Sequence, residues 1–213
     1  MLEAKCPSCG APVRLMTSSS VAAVCSYCGT TVARSDKAGA DALENLGKIS
    51  ALVEDGSPLC LAAKGQFDGK RFEVVGRLQL EMPGTGFWNE WFLHYAGGAT
   101  GWLGEALGQY FVTTAQVEER VPAFQALKLR QTVGIGAKRY SVTEKRNAKA
   151  TGGEGELPFV VGQGYELPFA DLRGPDGDFA TIDYSEDPPL VFTGRAVLWD
   201  ELAMKDHREF HGW

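Results

Sequence analysis

Lys70-Arg71-Phe72-Glu73-Val74-Val75-Gly76-Arg77-Leu78-Gln79-Leu80 is the segment from which the fold class is predicted. Its side chains alternate in character, so that an apolar set shares one face (Phe72, Val74, Gly76, Leu78, Leu80) and a polar set the other (Arg71, Glu73, Arg77, Gln79). A period of two is the mark of a strand in a sheet. The stretch therefore predicts a half-buried β-strand from Arg71 to Leu80.

The segments that follow predict further strands. Trp88 to Tyr95 alternates in the same way, Gly97-Gly98 supplies a turn into Trp102-Leu103, and Tyr110 to Thr113 is a short apolar run. Such runs separated by glycine turns indicate hairpins. We expect a mainly β protein, with a small barrel-like or sandwich-like domain, and one helix near the end, from Asp200 to Phe210.

Two parts of this β region have a similar plan. Lys70 to Val74 aligns with Lys138 to Val142, each after a glycine-containing turn, and Phe92 to Tyr95 parallels Phe169 to Leu172. Two half-domains, 58–121 and 122–213, fit this match. Short strands with glycine turns also resemble one another by composition alone, so the sequence leaves true duplication open.

Four cysteines in two knuckles precede the β region. Cys6, Cys9, Cys25 and Cys28 have the spacing C-x2-C-x15-C-x2-C, which is a strong zinc signal. A glycine after each knuckle can take the positive φ that a tight turn needs. Because sulfur fills all four positions, the spacing predicts a closed, structural Zn²⁺ site in a ribbon of residues 1–35, rather than a redox or iron centre.

The sequence between and after the knuckles predicts a hairpin, a linker and a buried cysteine. Between the knuckles, Val13-Arg14-Leu15 and Val21 to Val24 predict a hairpin. Residues 36–57 read as a linker with a short helix from Asp41 to Ala51. Cys60, in the apolar run Leu59-Cys60-Leu61, is expected to be a small buried hydrophobe rather than a reactive thiol.

Charge and composition exclude several classes. The 213 residues carry a net charge of -6, with +2 in residues 1–40 and therefore -8 in the remainder. This balance argues against nucleic-acid binding by either part. No signal peptide or stretch of membrane-spanning length is present in the sequence, and the paired cysteines suit a reducing compartment, so we expect a cytoplasmic protein.

The tetrad Trp88-Asn89-Glu90-Trp91, with His94, is the main candidate site outside the ribbon. On a strand Trp88, Glu90 and His94 share one face, and Glu90 lies about 13 Å from His94, too far for a direct acid–base pair. The cluster is a binding face for a peptide or cationic ligand, or it is plain core with a structural carboxylate.

A second candidate is the pair Glu154 and Glu156 in the run Gly152-Gly153-Glu154-Gly155-Glu156, which reads as a flexible loop able to bind a metal or a polyamine. It lacks the further oxygen ligands of a calcium loop. Asp171 and its neighbours are explained by turn chemistry. No nucleophile elbow, phosphate loop, zinc-protease motif or dinucleotide fingerprint occurs. We expect a non-enzymatic binding protein, with a hydrolase or ligand-modifying enzyme using Glu90, Glu154 or Glu156 as the alternative.

Several motifs together resemble one bacterial family, domain of unknown function 4178. They are the ribbon, Gly-Arg-Leu-Gln at 76–79, the 88–91 tetrad, the 152–158 stretch and the region from Asp183 to Pro189. The resemblance implies no catalytic residues. It implies gene clusters with small membrane proteins, a phage-shock-protein-A-like protein and a spermidine-synthase-like protein. It therefore points to protein partners in an envelope-stress or membrane-associated complex.

Overall fold

The protein is almost entirely β. The computed structural model describes residues 2–35, 43–48, 52–82, 84, 86–117, 120–161 and 165–209. Within them lie fifteen strands and three 3₁₀ turns, and no α-helix. The predicted mainly β class is confirmed. No helix in the described part of the chain is both long and apolar enough to cross a membrane.

The strands are numbered in chain order. They are β1 Leu2–Lys5, β2 Pro12–Leu15, β3 Ala22–Val24, β4 Thr30–Arg34, β5 Leu43–Lys48, β6 Lys64–Phe67, β7 Lys70–Met82, β8 Gly86–Tyr95, β9 Thr100–Ala106, β10 Gln109–Gln116, β11 Thr132–Ile135, β12 Lys138–Leu157, β13 Glu166–Arg173, β14 Asp178–Asp183 and β15 Leu190–Val197. The 3₁₀ turns are Phe124–Ala126, Pro175–Gly177 and Trp199–Leu202.

Eight strands form a ring of antiparallel pairs. Their order is β7-β8-β9-β10-β15-β14-β13-β12, and a further pairing of β12 with β7 closes it. The 20-residue strand β12 pairs with β11 and β13 in its first part, with β7 near its end, and with β3 at Gly155 to Leu157. One strand thus joins the ring to the ribbon.

The two halves of the ring have the same plan. Each is a five-strand meander, β6 to β10 and β11 to β15, and the halves meet through equivalent strands, β7 with β12 and β10 with β15. A shift of 68 relates Val74 to Val142, and each accepts a 2.8 Å hydrogen bond from a residue of positive φ, Ala62 or Arg130.

The same shift relates the bulges and the cores. The extra residue in β7 is Val75 and the extra residue in β12 is Thr143, 68 positions later. Leu59 is fully buried in the core of the first half and Leu127 is buried in that of the second. The halves therefore share turns, bulges and core positions at equivalent places in the sequence.

The bulge corrects the prediction for the strand Arg71 to Leu80. Phe72 and Val74 face one side, but the extra residue at Val75 turns Leu78 and Leu80 to the other side. Arg77 and Gln79 then share a side with Phe72, and both are buried rather than solvated. The strand is covered on both faces.

Four other expectations about local structure are wrong. Residues 43–48 of the predicted helix Asp41–Ala51 form strand β5, because β4 offers an edge for pairing; the rest of that helix lies outside the described residues. The predicted helix Asp200–Phe210 is the single turn Trp199–Leu202, ended by Ala203 at φ 44°; Phe210 is not described.

The ribbon hairpin and the 152–156 loop are also different from prediction. β2 pairs with β1 and β3 with β4, so Val13–Leu15 and Val21–Val24 do not pair with each other. Gly152 to Glu156 is part of β12, not a flexible loop. Its glycines permit close approach of the neighbouring backbone, which is a common reason for glycine inside a strand.

Candidate functional site

Four sulfurs meet at the tip of the ribbon. All Sγ atoms of Cys6, Cys9, Cys25 and Cys28 lie within 4.8 Å of one another, with 3.7 Å from Cys6 to Cys28 and 3.8 Å from Cys9 to Cys25. A tetrahedron with metal–sulfur bonds of about 2.3 Å places its sulfurs about 3.8 Å apart. The four thiols thus have the geometry of a tetrathiolate metal site, as their spacing predicts.

The two knuckles are built alike. Gly10 donates to the carbonyl of Cys6 at 2.8 Å and Gly29 to that of Cys25 at 2.9 Å, and both glycines have positive φ, 78° and 70°. Hydrogen bonds with the side chain and backbone of Thr30 lower the pKa of the Cys28 thiol to about 6. Against a backbone hydrogen bond from Ala11, the neighbouring Cys28 thiol raises the pKa of Cys9 to about 12.

A buried carboxylate fixes the ribbon to the ring. Glu156 of β12 accepts hydrogen bonds from the backbone N–H of Met16 at 2.7 Å, from that of Thr17 at 3.3 Å and from the Ser20 hydroxyl at 2.6 Å. Arg34 donates to the carbonyls of Ser20 and Thr17. Glu156 is consequently an anchor for the β2–β3 connection, not a free ligand.

On the outer face of β7, the Gln79 side chain holds the segment that precedes the first half. Its amide donates to the carbonyl of Val53 at 2.9 Å and accepts from the N–H of Val53 at 2.8 Å. Gln79 is fully buried. These two hydrogen bonds take the place of those that a neighbouring strand would form, and they keep residues 52–57 against the sheet.

Arg77 is the centre of a buried ionic network beside Gln79. Its guanidinium donates two hydrogen bonds to Asn89 Oδ1, at 2.8 and 2.9 Å, and forms ion pairs with the carboxylates of Asp55 and Glu154. It also lies 4.8 Å from the centroid of the Trp91 ring. The Arg77 side chain is only 4% exposed. A buried cation of this kind requires paired anions, which Asp55 and Glu154 supply.

Glu105 of β9 completes the network. A single oxygen, Oε2, accepts from the Ser57 hydroxyl at 2.6 Å, the Trp91 indole at 2.9 Å and Asn89 at 3.1 Å. Since Trp91 is fully buried and bonded, it is a core residue. The network thus holds residues 52–57 against one face of strands β7 to β9.

Carboxylates and aromatic rings lie on the opposite, inner face of the ring. Trp88 of β8 contacts Phe169 of β13, with ring centroids 5.8 Å apart. These strands are three ladder steps apart, about 14 Å in a flat sheet, so the sheet curls over this face. Trp88 donates to Glu90 at 3.0 Å, and Gly104 opposite leaves room for that carboxylate.

Two of these inner carboxyls have displaced pKa values. Burial raises the pKa of Glu90 to about 8, with the charge of Asp171 adding to the rise and the bond from Trp88 opposing it. Burial likewise raises the pKa of Asp171 to about 6, against a hydrogen bond from Thr181. At neutral pH Glu90 therefore holds its proton.

The structure divides the candidate residues among separate places. Trp88 and Glu90 face the ring interior, whereas Trp91 faces the buried network. His94 lies four positions beyond Glu90 along β8, opposite Thr100 and Glu73, and is half-buried. Glu154 pairs with Arg77 and Glu156 binds the ribbon, so these two do not form one ligand site.

Sequence reasoning gave no role in a polar network to Asp55 or Glu105, and it assigned Asp171 to turn chemistry. It named Asn89 only as a member of the 88–91 tetrad. A usable signal was present in Arg77 and Gln79, two polar residues amid the apolar run of β7. Asp55 carries no local signal, because only the fold brings it to β7.

A family model described as a domain of unknown function, DUF4178, matches residues 61–198. The chain belongs to this family. The match covers both meanders of the DUF4178 ring, from the turn before β6 to the end of β15, and leaves the cysteine knuckles outside it. No curated protein and no solved structure gives a significant match.

Removal of the metal should unfold the ribbon alone. A segment this small cannot bury enough apolar surface to remain folded without its metal. We expect amide exchange in residues 2–35 to become fast after chelation while β7 to β10 stay protected. Cys9→Ser should lose the metal and Cys60→Ser should keep one ion per chain by elemental analysis. Protected amides in a verified metal-free ribbon would contradict the prediction.

Gln79→Ala should destabilise the protein by about 2 kcal/mol, since it removes the two hydrogen bonds between the Gln79 side chain and the Val53 backbone, each worth about 1 kcal/mol. Asn147→Ala is the matched control, because Asn147 occupies the equivalent position in the second half and is exposed. Its effect should stay below about 0.5 kcal/mol. Urea unfolding monitored by tryptophan fluorescence measures both values, and equal losses would show that the Gln79 clamp contributes nothing.

Glu90→Gln should change the pH dependence of stability. The pKa of Glu90 is above its ordinary value in the folded state, so the unfolded state releases the proton first and wild-type stability falls as pH rises from about 4.5 to 8. Gln cannot ionise, and the variant should gain stability relative to wild type at pH 9 but not at pH 5. Urea midpoints across this range test it, with Glu166→Gln on the exposed surface as control. Parallel profiles for wild type and Glu90→Gln would refute the assignment.

Proposed function

We propose that this protein is a non-enzymatic adaptor, with a structural zinc ion in its ribbon, that binds a protein partner in a membrane-associated, envelope-stress complex in the bacterial cytoplasm. The observation that supports it most is the exposed strand β5. β5 extends the ribbon sheet beyond β4, five of its six residues are exposed, and no strand among the described residues pairs with its other edge.

An open strand edge can accept an extended segment of another protein. Its unpaired N–H and C=O groups offer a ladder to the incoming strand, while neighbouring side chains provide specificity. β5 is connected through β4 and β3 to β12, so a partner strand would continue the sheet of the ring. The gene clusters implied by the family resemblance supply the membrane part of the proposal.

Zinc is the metal that suits the ribbon. Four thiolates in a tetrahedral arrangement are the donor set of structural zinc sites, and no ligand position remains for a substrate. The hydrogen bonds to Glu156 support a structural role for this metal site, because they hold the ribbon in a defined position on the ring.

The alternative is an enzyme that uses Glu90. Glu154 and Glu156 are both engaged in ionic or backbone contacts, which leaves Glu90 beside Asp171 as the carboxyl pair with strongly raised pKa values. Such pairs occur in acid–base sites and in structural interiors. If Glu90→Gln abolishes the cellular phenotype while keeping the fold, the enzyme is favoured over the adaptor.

Co-purification from the native host tests the adaptor. Successive N–H groups of a strand point to opposite edges, so Glu44→Pro and Asn45→Pro remove one outward and one inward donor. The variant that keeps the wild-type melting temperature should lose at least about 90% of the specific partner. Glu44→Ala and Asn45→Ala serve as controls. Recovery of no specific partner by wild type, or of the same partners by both proline variants, would refute strand addition at β5.

A further inference from the structure

One hairpin carries an excess of positive charge that the total of -6 conceals. Residues 128–149, here called the basic hairpin, contain seven Lys and Arg against one Glu, a net of +6. They comprise the turn before β11, all of β11 and the first part of β12. The basic residues are Lys128, Arg130, Lys138, Arg139, Lys145, Arg146 and Lys149.

The fold does not require this charge. The shift of 68 maps the basic hairpin onto residues 60–81, which have four basic and three acidic residues, a net of +1. Both segments keep the same turn, bulge and core positions. The turn, bulge and core positions that the two hairpins share therefore do not account for their difference of five charges.

Four of the seven cations are available to a ligand. Lys128, Arg130, Arg139 and Lys149 are exposed, and none of them forms an ion pair with a described residue. The others are engaged: Lys138 pairs with Asp178, Arg146 with Glu144, and Lys145 lies over Phe124. Lys128, Arg130 and Arg139 flank the short strand β11, whereas Lys149 lies ten residues beyond Arg139 along β12, opposite Glu166.

An exposed leucine lies between two of these free cations. Leu129 is 62% exposed and is flanked by Lys128 and Arg130 in the turn before β11. Its equivalent in the first half, Leu61, packs against the core of that half. An apolar side chain projecting among cations is suited to the interface of a lipid bilayer, where the charges meet headgroups and the side chain enters the acyl boundary.

We infer that the basic hairpin binds the surface of an anionic phospholipid bilayer. A planar surface can reach the cations that flank β11, where Asp176 and Asp178 are the acidic neighbours of Lys138. A nucleic acid gains nothing from Leu129, and its length would bring it against the negative remainder of the chain. The inference rests on the membrane part of the proposed function and gives it a site. The proposed binding of a partner strand at β5 is a separate part of the proposed function, and the inference does not depend on it.

Vesicle co-sedimentation with the full chain tests the inference. The probes are vesicles of phosphatidylcholine with and without about 30% phosphatidylglycerol. The test variant is Lys128→Glu, Arg130→Glu, Arg139→Glu. The matched control is Lys64→Glu, Lys70→Glu, Arg71→Glu, which makes the same change of charge on exposed positions of the equivalent hairpin.

We expect binding only to the anionic vesicles. The test variant should bind at least roughly 100-fold more weakly, since each of the three lost cations gains about fivefold in affinity at such a surface and the three added carboxylates are repelled. The control should retain most of the affinity, because its charges are placed elsewhere. Leu129→Ser should weaken binding several-fold more than Leu198→Ser, which alters a leucine that is 72% exposed on another element.

Three results would overturn the inference. They are equal binding to vesicles with and without phosphatidylglycerol, equal losses in the two triple variants, and tighter binding of a duplex oligonucleotide than of anionic vesicles at the same salt. All use purified protein and lipid. If the membrane inference is overturned, the expected recovery of a partner through β5 does not change. The two proposals can therefore fail separately.

Discussion

The structure depends on a close backbone approach where β7 crosses β12. A side chain at Gly76 would overlap the carbonyl of Glu156, and one at Gly155 would overlap that of Val75. Only glycine permits the contact, and Gly155 also has a φ of 69° that favours it. The pairing closes the ring and places the end of β12 beside β3. The ring and the ribbon therefore share one junction.

The polar network follows from that junction. Once β12 is paired with β7, Glu154 lies opposite Arg77, and the buried guanidinium obtains one of its two anions. The other, Asp55, comes from the chain before the first meander. Charge neutralisation thus links three stretches that are distant in sequence. Most of the motif residues at 76–79 and 88–91 have a structural explanation in this network and in the ring interior.

Much of the fold could be read from local pattern, and the exceptions have clear causes. Alternation predicted β7 and β8, and the cysteine spacing predicted the sulfur cluster, because both signals depend on near neighbours. The burial of Arg77 and Gln79 was not predictable, since one extra residue at Val75 reverses the faces. The strand at Gly152 to Glu156 resembled a loop because its glycines serve a contact with another strand. Asp171 resembled a turn residue because Glu90, whose pKa it raises, is distant in sequence and lies on another strand.

The length of β12 limits the distance between its two ends. It begins within the basic hairpin at Lys138 and ends at Leu157, paired with the ribbon strand next to β4 and β5. Twenty extended residues span at most about 66 Å. The β11–β12 turn and the ribbon sheet thus lie near opposite ends of β12. Because bulges at Thr143 and between Ala150 and Gly152 bend this strand, its two ends are closer together than that limit.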